Sequence, residues 1–86
     1  NGAAAMAALA QAQEPHAIGC TQVTEILYTP GVVLAGTLPR EFELATVYSA
    51  AVCSGAADSA RARQLVAMLA GTESAVIRAA GGFENI

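Results

Sequence analysis

The sequence predicts an α/β chain, and three observations carry that expectation. Two apolar runs, residues 32–36 (VVLAG) and 44–52 (LATVYSAAV), are nearly continuous rather than alternating. Continuous runs mark strands covered on both faces, as in sheets flanked by helices. An Ala-rich stretch opens the chain, and the last third places apolar residues at helical spacing. The expected order is helix, strand, short helix, two strands, two helices.

Residues 3–13 (AAAMAALAQAQ) suit a helix, because Ala has the best helix propensity and a small volume that permits close packing. A signal-peptide remnant is the other reading, but the basic first region and leucine-rich core of such peptides are missing. Pro15 is expected to end the helix, since the residue before proline disfavours the α region. The first residue is Asn1 rather than Met, which suggests a processed or excised chain. Residues 16–20 (HAIGC) form a short apolar run suited to a buried strand. Thr21 then fits as the N-cap of a brief helix over 22–28.

After a Pro30-Gly31 turn, the β-branched run 32–36 predicts a strand, and Leu38-Pro39-Arg40-Glu41 a charged turn. The run 44–52 predicts the next strand. Ser54-Gly55 reads as a loop, and Asp58 or Ser59 can cap a helix reaching about Ala70. Leu65, Val66 and Leu69 mark its expected buried stripe, and Gly71 suits a left-handed C-cap. Thr72 can cap a final helix with Glu73 in its first turn, where the helix dipole favours an anion. Val76 and Ile77 are expected to face inward, and Gly81-Gly82 to stop the helix.

Composition narrows the function. Charged residues are 13% of the 86 and hydrophobic residues 55%, against about 25% charged in an average soluble domain. The net charge is −3 and all four cations are Arg, which leaves no electrostatic footprint for nucleic acid or an anionic membrane. The longest uncharged stretches, 26–39 and 44–57, fall short of the ~20 apolar residues of a membrane-spanning helix. A compact chain of this size would expose about 4,700 Å², so its stability margin is thin.

The chemistry-bearing residues are few. Cys20 and Cys53 are the only cysteines. They are expected as packed thiols in apolar strands, with a disulfide as the alternative. His16 and Cys20 would lie roughly 13 Å apart on a strand, too far for a Cys–His nucleophile. His16 is therefore read as a loop residue. One His and two distant Cys do not make a zinc site. Glu41 and Glu43, beside Arg40 in a turn, read as a solvated rim. No phosphate-binding glycine motif is present, and no cofactor is expected.

One constellation points to a ligand. Ile18-Gly19-Cys20-Thr21 runs from an expected strand into a helix start, where free N–H groups and the dipole favour an anion. Gly19 would let an anion approach the backbone, and Tyr48 offers an uncharged phenolic donor. Together Gly19, Cys20 and Tyr48 suit a small, dehydrated oxyanion held by neutral donors. The alternative is that Thr21 caps its own helix and Tyr48 fills core.

Three stretches give the chain a family likeness. Gly2-Ala3-Ala4-Ala5 through His16-Ala17-Ile18-Gly19 is similar to a helix followed by "E-x-P-x-G-I-V". Leu34-Ala35-Gly36-Thr37-Leu38-Pro39 and residues 45–52 are similar to a strand, a "P-E" turn and a returning strand. Leu69-Ala70-Gly71-Thr72-Glu73-Ser74-Ala75 with Gly82-Phe83-Glu84 resembles a terminal "L-x-G-x-x-A-x-x-x-x-x-x-x-G-F" ending. In these the chain resembles the C-terminal part of type II periplasmic solute-binding proteins, in particular the molybdate-binding branch. The resemblance implies a fragment of a two-lobed α/β protein, read as one module over 1–86. Residues 1–20 would belong to the second lobe and 40–86 return to the first. It places Gly19 on an amide donor and Tyr48 on the tyrosine that meets the oxyanion. Departures occur at Cys20-Thr21-Gln22, where the family shows an aromatic and a Gly-Ser pair, and at Ser49, where it often has Pro.

The resemblance implies a non-catalytic, periplasmic substrate-binding component of an ABC-type importer, binding a small oxyanion such as molybdate between two lobes. Its implied partners are the oxyanion and membrane transporter subunits, and exposed strand edges are expected to associate with another copy, as a homodimer, or with the missing portion of the protein. Three rivals stand beside it. They are a cytoplasmic ligand-sensing domain of a transcriptional regulator with the same fold, a Cys20-dependent enzyme, and a self-associating module without ligand.

Overall fold

Among the described residues, four α-helices and one 3-10 turn form. The fold comes from a computed structural model that describes residues 1–85. Ile86, the last residue of the expected 1–86 module, lies outside the described residues. Helix α1 spans Gly2–Gln11, and the Asn1 side chain caps it by accepting from the Ala4 N–H at 2.8 Å. It leaves the α region at Ala12, φ −68° and ψ 137°, three residues before Pro15 rather than at it. His16 sits in the exposed turn that follows, as expected of a loop residue.

Helix α2 spans Val23–Tyr28 with Gln22, not Thr21, at the N-cap. The shift has a local cause: the Thr21 hydroxyl donates to the Glu25 carboxylate one turn ahead and is not used as a cap. A 3-10 turn at Arg40–Phe42 carries the exposed Glu41 and Glu43 region. Helix α3 spans Ser59–Ala70, capped by Asp58 Oδ1 accepting from the Arg61 N–H at 3.0 Å. Helix α4 spans Ala75–Ala80 and follows Ser74 rather than Thr72.

The α/β expectation is overturned, because no strand or sheet is present among the described residues. Segments 16–20, 32–36 and 44–52 lie outside the helices but have no ladder partner. The physical reason is that an apolar, β-branched run sets a local conformational preference, whereas a strand also needs a neighbour about 4.8 Å away. Here the chain provides none, and water must satisfy those backbone groups.

The core is correspondingly small. Met6 is the one buried hydrophobic residue among those described, at 2% exposure. It lies in the principal helix pairing, between α1 and α2. Leu65, Leu69, Val76 and Ile77 are exposed, so the stripes expected to be buried on α3 and α4 have nothing to pack against. Val66 is half-buried. Cys20 and Cys53 are exposed free thiols rather than packed ones, for the same reason. The chain extends over 52 × 27 × 22 Å with a radius of gyration of 16.8 Å, where a compact domain of this length has about 12 Å. No helix among the described residues is long and apolar enough to cross a membrane.

The C-terminal end of α4 is its best-defined feature. The Phe83 N–H donates to Arg78 O at 2.9 Å and the Gly82 N–H to Ala79 O at 3.1 Å. That pair of bonds is a Schellman motif, with Gly82 at φ +91° in its left-handed position. Gly71, expected in that role after α3, is extended instead, at φ −77° and ψ 173°. A Cβ on Gly82 would lie 3.1 Å from both Leu27 Cδ1 and Val23 Cγ1, so the motif docks directly on α2. Gly82→Ala should therefore destabilise the chain by about 1–2 kcal/mol from the left-handed backbone alone. A thermal melt would show this, and an unchanged midpoint would remove the docking.

Candidate functional site

The Schellman motif sets the position of Phe83, and Phe83 in turn meets Tyr48. The two rings pack edge to face, with centroids 5.8 Å apart and planes at 73°. That arrangement sets the positive edge of one ring against the negative face of the other. Tyr48 remains 65% exposed, and its hydroxyl donates to Gln22 Oε1 at 3.3 Å. The other end of the same amide, Gln22 Nε2, donates to Thr46 Oγ1 at 3.1 Å. Thr46 and Tyr48 are two residues apart and face the same Gln22 amide. Gln22 clamps both from the start of α2. The result is a set of three neutral polar side chains, drawn from two parts of the sequence and backed by one aromatic ring.

Gly19 and Cys20 approach this set along the chain. Cys20 and Thr21 separate Gly19 from Gln22, three residue steps with a reach of at most about 11 Å. Gly19 also has a packing role: a Cβ there would lie 2.7 Å from Met6 Cε and 3.1 Å from Leu9 Cδ2. It is thus the surface on which the buried methionine rests. Its N–H takes part in none of the hydrogen bonds among the described residues. Gly19 lines a cleft of about 320 Å³ with Met6, Leu9 and Ile26, and Tyr48 does not. The three residues singled out in the sequence therefore do not share one cavity.

A second open groove, about 480 Å³, lies between α2 and the end of α4, lined by Thr24, Glu25, Leu27, Tyr28 and Phe83. Its one carboxylate, Glu25, is engaged by the Thr21 hydroxyl. No group of His, Cys, Asp and Glu able to hold a metal ion occurs among the described residues.

Sequence reasoning missed Gln22, Thr46 and Phe83. Thr46 was within reach, being two residues from Tyr48 in an extended run. Nothing local marks Gln22, whose role depends on contacts 24 and 26 residues away. No family model, no curated protein and no solved structure matches this chain.

Proposed function

We propose that the chain is a non-catalytic binding component that takes a small oxyanion, such as molybdate, through neutral hydrogen-bond donors. Its setting is the periplasmic binding component of an ABC-type importer, which hands the anion to membrane transporter subunits. The observation that supports this reading is the Gln22–Thr46–Tyr48 set, which is solvent-accessible, hydrogen-bonded and free of charged side chains. The Tyr48 hydroxyl and the Thr46 hydroxyl are donors that can turn from protein to ligand. The Gly19 and Cys20 main-chain N–H groups, unpaired among the described residues, are further neutral donors. Neutral donors replace an anion's hydration shell without introducing a charge. The free energy of capture then comes from several such bonds formed together.

The test is calorimetry of the full-length protein with molybdate, tungstate, sulfate and phosphate. Binding of at least one anion is expected, with Tyr48→Phe weakening it about tenfold, as for loss of one hydrogen bond to a charged group. No heat with any of the four would remove the oxyanion reading. Undiminished binding by Tyr48→Phe would remove Tyr48 from the site.

A further inference from the structure

The cleft of about 320 Å³ between α1, α2 and residues 31–36 is lined by Met6, Leu9, Ile26, Val32 and Leu34, and the one charged residue on its wall is Glu14. At its rim Ile18 and Val33 stand 93% and 90% exposed. Elsewhere the chain holds an extended segment with matching chemistry. Residues 44–52 carry no charge, and no residue of that segment lines the cleft of its own chain. Thr46 and Tyr48 tie one side of the segment to Gln22. Val47, between them, stays 62% exposed.

We infer that two copies of this chain associate about a two-fold axis, each seating its 44–52 segment in the other's α1–α2 cleft. Surface area favours a second copy as the occupant. The chain exposes 7455 Å², about 2,750 Å² more than a compact chain of its size. A stable interface takes about 1,600 Å² from two partners together, so two copies carry the required area with a wide surplus. Desolvation favours it too, because an uncharged segment entering a cleft with one carboxylate strips few charges of water. Main-chain N–H and C=O groups of 32–36 and 44–52, unpaired in the single chain, gain partners in the pair. A two-fold arrangement makes the contact twice and closes, leaving no free copy of it to propagate. This association stands independently of the oxyanion reading.

Sedimentation equilibrium of the whole chain over a range of concentrations tests the inference. The expected result is a reversible monomer–dimer equilibrium with twice the chain mass as its largest species. Val47→Lys on the segment and Val33→Lys at the cleft should each raise the dissociation constant at least about tenfold. Val76→Lys on α4, outside the cleft lining and the segment alike, should leave it within about twofold. Far-UV circular dichroism of each variant verifies that its helices persist. Where a lysine variant loses them, a peptide of residues 44–52 replaces it and should shift the dimer toward monomer. A monomer at every concentration would overturn the inference. So would aggregates indifferent to both lysines, Val76→Lys acting as strongly as the other two, or a dimer the peptide leaves intact.

Discussion

Met6→Ala is expected to cost about 2–5 kcal/mol, the range for truncating a buried methionine where the site collapses poorly. Met6 is the one buried hydrophobic residue among those described, and its ε-methyl approaches the bare backbone of Gly19. No neighbouring large side chain is buried to fill the gap. Compact domains retain only about 0.05–0.15 kcal/mol per residue of net stability, so a loss of this size is a large share of what the chain can hold. Helix α1 has ten residues, and isolated helices shorter than about 12–15 residues are marginal in water. Loss of its packing should therefore appear as loss of helix. Far-UV circular dichroism and urea titration measure it. Met6→Leu, which conserves volume, should cost less than about 1.5 kcal/mol. If Met6→Ala instead matches the parent in both helicity and urea midpoint, α1 and α2 are not held together through this residue.

What could be read from the sequence divides along the range of the interaction. Asn1 and Asp58 cap helices through bonds to residues three positions ahead, and signals of that range are written in adjacent letters. The glycine pair at 81–82 likewise ends α4 as its composition suggests, because the left-handed position after a helix favours Gly. Thr21 shows the limit even at short range. Its hydroxyl has two local partners to choose between, and the choice of Glu25 moves the helix start by one residue. The runs 32–36 and 44–52 show the larger limit. A continuous apolar run reports a backbone that would gain from burial on both faces, but says nothing about whether a partner is in reach. The same gap separates Tyr48, legible as a lone phenol in an apolar run, from Gln22, which only the three-dimensional arrangement brings to it.

The loop joining α3 to α4 depends on one side chain. Arg78 Nη1 donates to Leu69 O at 2.7 Å, to Gly71 O at 2.9 Å and to Ser74 Oγ at 2.6 Å. The first of these acceptors is a carbonyl in the last turn of α3, which has no partner within its own helix. A cation there also complements the negative end of the helix dipole. Ser74 acts with it, its hydroxyl reaching Met68 O, and Leu69 O at 3.2 Å. Arg78→Ala removes all three arginine bonds and should cost about 1.5–3 kcal/mol, the range for hydrogen bonds to a charged group. Helix α4, with six residues, is too short to persist without that anchor. Its Schellman bonds should open, and with them the edge-to-face contact of Phe83 with Tyr48. Hydrogen exchange at the Gly82 and Phe83 amides reads the first effect, and near-ultraviolet circular dichroism of the tyrosine reads the second. All three bonds come from Nη1, and Arg78→Lys keeps the charge on a shorter stem, so it should restore the electrostatic share and not the full bond set. If Arg78→Ala leaves both amides protected, α4 is held by the docking of Gly82 on α2 alone, and the arginine is incidental to the site's geometry.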